Sequence, residues 1–567
     1  MKILNYLLKK QGAIILCCSV VIALLLSILT MTSPTPENRD NRFSAERAYS
    51  HLEVIAQKQH SVFDTNEIED VRNYLTRTIS AFENIQSIKV DHRPIEIFNH
   101  KTHAREWIDV QNMYAVIPGT SGTYLLIMAH YDSCPYKEKY GVATDGAYGA
   151  ADDGYGVATM LEIMRLLNDY AAENKLVNGI KFAFTDAEEV ALGGATALVN
   201  EFSHWLKDVN IVVNLEARGN KGPLYMFQTS DKNYKLIDFY SHARLPFSFS
   251  IAADVYQYLP NDTDFTPFLK EGYSGLNFST LNSLKYYHTP YDNLDNACKA
   301  TIQFYGNQIY PLVTEYMTKE RYSAFNSFVS NHNAVFFTLS PSILIYYTQT
   351  ISWIFSVIVA LGMVAIAFFA IRKKALSWIK ALLALGIWTG YLLVAAALGL
   401  LLAMLTGWIT GHRFNLMYMP NVPFDLGLVV ICATLVLVAG LLAAKLCKKL
   451  KCSFLEIFSG ASLIIILLNF IFALLLHGGT YLFVWPAAFM LGIMSIHLFF
   501  SPDKRVPAIV WHIFHVFAVV VSIILYTTLI YSLFLALTFG ALAIVLLFTA
   551  LLACVLVPCG LSLVVGK

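Results

Sequence analysis

In this chain, ionisable residues gather where apolar runs stop. TYLLIMA ends in His130-Tyr131-Asp132, and the glycine-rich turn GAYGAADDG carries Asp152. KFAFT ends in Asp186, Glu188 and Glu189, and VNIVVNL ends in Glu216. GLNFSTL leads through a short loop to His288 in YYHTPYDN. Histidine and carboxylate donors without cysteine suit zinc in a catalytic role. A charge count favours two ions. Two Zn²⁺ bring four positive charges, Asp152, Glu189 and Glu216 bring three negative ones, His130 and His288 are neutral, and one hydroxide closes the balance. A two-metal site of this kind activates water and clamps a tetrahedral intermediate.

The adjacent acids Glu188 and Glu189 cannot both reach one ion. Neighbouring side chains point to opposite faces of a strand, or about 100° apart around a helix. Glu189 is therefore read as the ligand and Glu188 as the group that takes a proton from water and delivers it to the leaving amine. Asp132, two residues after His130, is placed to orient that imidazole. Each piece alone has an ordinary reading. His-x-Asp is common at surfaces, Asp152-Asp153-Gly154 before a helix reads as an N-cap, and paired glutamates usually form a solvated face. Their joint occurrence at strand ends selects the metal reading.

The elements around these residues alternate. FSAERAYSHLEVIAQ and IEDVRNYLTRTISAF have helical periodicity, and DDGYGVATMLEIMRLLNDY puts Val157, Met160, Leu161, Met164 and Leu167 on one face. IKVDHRPIEIF, MYAVIP, TYLLIMA, KFAFT, VNIVVNL and GLNFSTL read as strands. Strands alternating with helices predict an α/β domain, a central sheet with helices on both faces. Ligands in such folds bind outside the carboxyl ends of the strands, where five candidate ligands converge.

The rest of the chain has a different character. Of its 567 residues 56% are hydrophobic, and after Val335 the only acids are Asp425, Glu456 and Asp503. The net charge of +1 gives no reason to expect nucleic acid. Residues 13–31 form an uncharged apolar run after Lys2, Lys9 and Lys10, read as an uncleaved signal anchor. About seven further spans are expected, near 343–371, 377–406, 424–446, 455–476, 480–500, 508–534 and 537–565, an all-α transmembrane domain. Arg372, Lys373 and Lys374 follow the second span, Lys445, Lys448, Lys449 and Lys451 the fourth, and Lys504 and Arg505 the sixth. With residues 1–12 in the cytoplasm, all three clusters fall on the cytoplasmic side. The polar unit, 43–332 after a linker at 32–42, then lies outside, with the transmembrane domain at 340–567. His512 and His515 share a helix face and are read as packing residues, since the region has too few acids for a proton relay. Cys134 and Cys298 are the two cysteines of the polar unit, a disulfide or two free thiols. Asn261 and Asn277 head glycosylation sequons, meaningful only in a eukaryotic secretory route. The short loops lean towards a bacterial plasma membrane, with an endoplasmic reticulum or vacuolar membrane as the alternative.

At MAHYDSCP, GAADDGYGVA, FTDAEEVALGGA and YYHTPYDN, residues 43–320 resemble the co-catalytic zinc aminopeptidase family. FSAERAYSHL, NLEARG and LPNDTDFTPF, with one anchor and many C-terminal spans, resemble its endoplasmic reticulum metallopeptidase and vacuolar membrane protease branch. The resemblance implies a zinc-peptidase domain with a peptide substrate, in which Asp152 bridges two Zn²⁺. His130 and Glu216 would complete one site, Glu189 and His288 the other. Glu216 stands where many relatives carry Asp. Glu188 would be the general base, and Tyr287 matches a position where some relatives stabilise the oxyanion, a role Tyr286 could also fill. Asp262, Asp264 and Phe265 match a segment near the active site, and Arg218 could bind a substrate carboxylate or pair with an acid. The expected function is a membrane-anchored aminopeptidase facing away from the cytoplasm. Two alternatives carry over from relatives: a non-enzymatic receptor or scaffold, and aminoacyl cyclisation at a single zinc.

Overall fold

The computed structural model describes residues 11–139, 142–259, 261–411, 413–416, 419, 422–500 and 505–565. Lys2, Lys9, Lys10, Asp503 and Lys504 lie outside them. The described chain divides into two units. One is Thr32–Ala334 with Ser342–Tyr346, and the other joins the N-terminal segment to the C-terminal helices.

The polar unit contains strands β1 (Gln86–Val90), β2 (Arg93–Asn99), β3 (Ala104–Val110), β4 (Met113–Ile117), β5 (Tyr124–His130), β6 (Lys137–Lys139), β7 (Val142–Thr144), β8 (Gly179–Thr185), β9 (Val209–Ala217), β10 (Lys221–Thr229) and β11 (Gly275–Asn282). Seven of them form one sheet in the order β1-β4-β8-β5-β9-β11-β10. Its centre is parallel, since β5 pairs parallel with β8 and β9, and β9 with β11. The remaining pairings, β1–β4, β4–β8 and β10–β11, are antiparallel. The sheet is therefore mixed.

The central strands are buried on both sides, as near-continuous Val, Ile, Leu and Phe runs require. Leu126 and Met128 meet Leu198, Val199 and Phe268 from helices Gly193–Glu201 and Phe265–Lys270. Helix Gly154–Glu173 packs against β5 and β9, and helix Lys299–Thr318 against β10. The parallel centre sends the carboxyl ends of β5, β8, β9 and β11 to one edge. His130 pairs with Thr185, and Ser279 with Glu216, so their side chains sit at nearly the same level.

Several elements differ from the sequence expectation. IKVDHRPIEIF is two strands rather than one, with β1 in the main sheet and β2 paired with β3. β3 and the long edge strand β10 were not anticipated, although LYMF in β10 is a buried apolar run. The span expected from residue 343 begins as a helix only at Gln349, where Thr348 caps it by accepting the Ile351 N–H. Ile343–Thr348, rich in β-branched and aromatic residues, is a strand.

The other unit holds eight helices long and apolar enough to cross a membrane among the described residues. They are Gln11–Met31, Gln349–Arg372, Trp378–Thr410, Asp425–Lys449, Phe454–Leu475, His477–Phe499, Ile509–Leu537 and Phe539–Val564. Small residues let their backbones approach: a Cβ on Gly460 would meet the backbone of Ala384 and Leu385, and one on Gly399 that of Leu542 and Ala543. His515 is buried and its Nδ1–H donates to the Trp511 carbonyl.

Candidate metal centre

All five expected ligands meet at the carboxyl edge of the sheet. Asp152 lies between the two histidines: its Oδ1 is 3.4 Å from His130 Nε2 and its Oδ2 is 3.4 Å from His288 Nε2. Glu216 Oε2 is 3.6 Å from His130 Nε2, and Glu189 Oε1 is 3.0 Å from His288 Nε2. Two donor groups result, His130–Asp152–Glu216 and Glu189–His288 with Cys134, and Asp152 faces both.

Local structure explains each position. Asp153 caps the helix that follows, accepting the Gly156 N–H at 3.1 Å, and so its neighbour Asp152 is left to face the site. The carboxylate of Asp292 accepts the N–H groups of Ala151 and Asp152 at 2.8 and 3.2 Å and also holds Asn220. After β8, Ala187 takes a left-handed conformation (φ 57°) and starts a short helix, Glu188–Ala191. Asp132 clasps that helix, since its two carboxylate oxygens accept the N–H groups of Glu188 and Glu189 at 3.1 and 3.3 Å. His130 Nδ1–H donates to the Asp132 carbonyl at 2.9 Å, with the carboxylate 3.5 Å away. Asp132 therefore steers the imidazole through its backbone and the glutamates through its side chain. Asn214 donates to Glu216 Oε1 at 3.0 Å, leaving Oε2 towards His130.

Asp186, the third acid of the β8 end, is anchored away from the ligands. Arg72 and the Gln111 N–H donate to it at 2.7 and 2.8 Å. The Tyr287 ring stacks on His288, with centroids 3.7 Å apart, and the Arg218 guanidinium lies 5.7 Å from the Tyr287 ring centre. Asp264 is buried and accepts from Thr185, whereas Asp262 is exposed and Phe265 belongs to the core. Asn277 is fully buried within β11, so its sequon offers no glycan acceptor in the folded chain.

The electrostatics call for cations. Burial disfavours charge on both imidazoles, yet Asp132 and Asp152 around His130, and Glu189 beside His288, raise them well above the ordinary histidine range. Burial, with Asp152 alongside, pushes Glu216 up to about 8. Burial and then Glu216 push Glu188 well above the usual carboxylate range. Burial works against the charge on Glu189, but His288 and Lys137 outweigh it and hold the carboxyl well below that range. His130 Nε2 and Glu189 Oε1 are buried without a hydrogen-bond partner among the described residues. Buried polar atoms are rarely left so. Both donor groups, His130–Asp152–Glu216 and Cys134–Glu189–His288, offer donor types that suit zinc.

The sequence reading missed three contributors. Cys134 Sγ stands among the donors although cysteine was not expected there, and neither Cys134 nor Cys298 is in a disulfide. Lys137 donates to Glu189 Oε2 at 2.8 Å. Asp292 braces the Asp152 turn; its only sequence signal is its place four residues after His288 in HTPYD.

Residues 112–313 match the model of "Peptidase family M28". A vacuolar membrane protease of Kluyveromyces lactis is 25% identical over 60% of this chain and 37% of its own length. The human endoplasmic reticulum metallopeptidase 1 is 30% identical over 38% of this chain and 24% of its own length. The chain thus spans about a third of these relatives or less. Their names point to eukaryotic endomembranes, and they lend no support to the lean towards a bacterial plasma membrane. Among solved structures, a Porphyromonas gingivalis glutaminyl cyclase aligns at 20% identity over 48% of this chain and 98% of its own, with a TM-score of 0.37. A zinc aminopeptidase from Bacillus subtilis aligns at 16% identity over 52% and 99%, also with a TM-score of 0.37.

Proposed function

Given that residues 112–313 match peptidase family M28, we propose that this chain is a membrane-held metallopeptidase that takes two zinc ions and removes N-terminal residues from peptides. The observation that carries this reading is the placement of Asp152, with one carboxylate oxygen towards His130 and the other towards His288. A carboxylate so placed is built to join two cations. His130, Asp152 and Glu216 would hold one ion, and Asp152, Glu189 and His288 the other. Zinc bound there would supply Lewis acidity, polarising the scissile carbonyl and lowering the pKa of water.

The remaining work falls to the chain. Glu188, half-buried beside Glu189, takes the proton of the attacking water and passes it to the departing amine. Asp132 sets the backbone from which Glu188 projects. The Tyr287 hydroxyl is assigned to the developing oxyanion, its ring held by His288 and Arg218. By the distribution of basic loops, the peptidase unit faces away from the cytoplasm.

Purified full-length protein is expected to contain about two zinc ions per chain and to shorten peptides of a free-amino-terminus library from that end. One zinc per chain with cyclised N-terminal products would favour the single-metal reading, and metal-free, inert protein would favour the scaffold reading.

A further inference from the structure

Cys134 is a buried thiol outside any disulfide. It is 1% exposed, and its Sγ, a Glu189 oxygen and a His288 nitrogen all lie within 4.8 Å of one another. Resting on the two-metal reading above, we propose that Cys134 is a sulfur ligand of the cation held by Glu189 and His288.

Two carboxylates accompany that grouping. Glu189 is only 7% exposed, and beyond its ion-pair contact with His288 Nε2 at 3.0 Å its Oε1 has no hydrogen-bond partner among the described residues. Its other oxygen is engaged by Lys137, so Oε1 is the one directed at the shared space. Asp152 Oδ2 lies 3.4 Å from His288 Nε2. With zinc–sulfur bonds of about 2.3 Å and zinc–nitrogen or zinc–oxygen bonds of about 2.0–2.2 Å, ligand atoms around a tetrahedral ion stand roughly 3.3–3.8 Å apart. The donors lie within 4.8 Å of one another and Glu189 Oε1 is 3.0 Å from His288 Nε2, a range that brackets that spacing.

Charge also fits. On binding, the thiol proton leaves to solvent and the thiolate forms the bond to the cation. Asp152, Glu189, Glu216 and a Cys134 thiolate then carry four negative charges against the four positive charges of two divalent cations, the thiolate taking the place of the hydroxide in the count made from the sequence. The two positions become chemically unequal. The His130–Asp152–Glu216 position offers only nitrogen and oxygen, while the Cys134 position adds a soft donor that favours zinc or cobalt over magnesium or manganese.

The test uses the full chain stripped of metal and reloaded with Co²⁺, whose thiolate ligation gives an intense near-ultraviolet charge-transfer band. Wild type is expected to take up two Co²⁺ and to show the band, Cys298→Ser to keep it, and Cys134→Ser to lose it. In competition with a chelator, Cys134→Ser is expected to hold one of its two zinc ions at least about tenfold more weakly. Wild type that binds two Co²⁺ without the band overturns the Cys134 assignment and leaves the two-metal reading standing. A band that persists in Cys134→Ser also overturns it. Wild type that binds no Co²⁺ sinks both. The wild-type spectrum decides even if the variant fails to fold.

Discussion

The carboxylate of Asp292 accepts the backbone N–H of Asp152 at 3.2 Å, so the residue between the two histidines is held from behind by an acid in the loop that carries one of them. Asp292 also accepts the Ala151 N–H and an Asn220 N–H. Asp292→Ala leaves these buried donors unpaired. It is expected to cost about 1–3 kcal/mol of stability and to weaken zinc binding about 10–100-fold. Chelator competition and thermal unfolding of the same samples measure both.

Glu188 is adjacent to a ligand but is not assigned as one. Glu188→Gln keeps the shape and removes the proton acceptor. The expected result is an unchanged zinc content with a turnover lower by about 10²–10⁴-fold. Full activity in a variant with both metals would remove Glu188 from the mechanism.

Removing the metals should destabilise the polar unit. Without cations, Glu216 faces repulsion from Asp152, and Glu188 from Glu216 and Glu189, in a buried space. A chelator is expected to lower the unfolding temperature and zinc to restore it, with about 4 kcal/mol at a free zinc concentration 1,000 times the Kd. Glu188→Gln should respond like wild type, because it retains the ligands.

His51 offers a pH signature away from the site. Burial holds its imidazole down to about 4, with Nδ1 2.8 Å from the Tyr74 hydroxyl. The unfolded chain, near 6.5, binds this proton earlier, so the contribution is present above pH 6.5 and is lost as pH falls towards 4. The loss amounts to about 3 kcal/mol at most. In His51→Gln the fall in stability between these values should be shallower than in wild type by that order, as read from unfolding at a series of pH values.

The site was legible because its ligands sit where apolar runs stop, a pattern that sequence order preserves. His130 ends β5, Glu216 lies near the end of β9 and Glu189 comes shortly after β8, three strands that hydrophobic periodicity finds. β10 escaped because an edge strand beginning Lys-Gly-Pro looks like a loop at its start, while its apolar stretch comes later. The strand Ile343–Thr348 was absorbed into a membrane span because hydrophobicity alone does not distinguish an extended apolar segment from a helical one.

Composition and order alone establish an α/β unit beside a set of apolar spans, and they mark the acids and histidines at the strand ends, because burial and periodicity are local properties of a chain. Which oxygen of Asp152 faces which histidine, that Asp132 grips two backbone amides, and that Cys134, Lys137 and Asp292 join the site were decided only by the fold. Those contacts link residues between 22 and 154 positions apart. Their distances follow from strand order, parallel register and the turn at Ala187, none of which any short window of sequence contains.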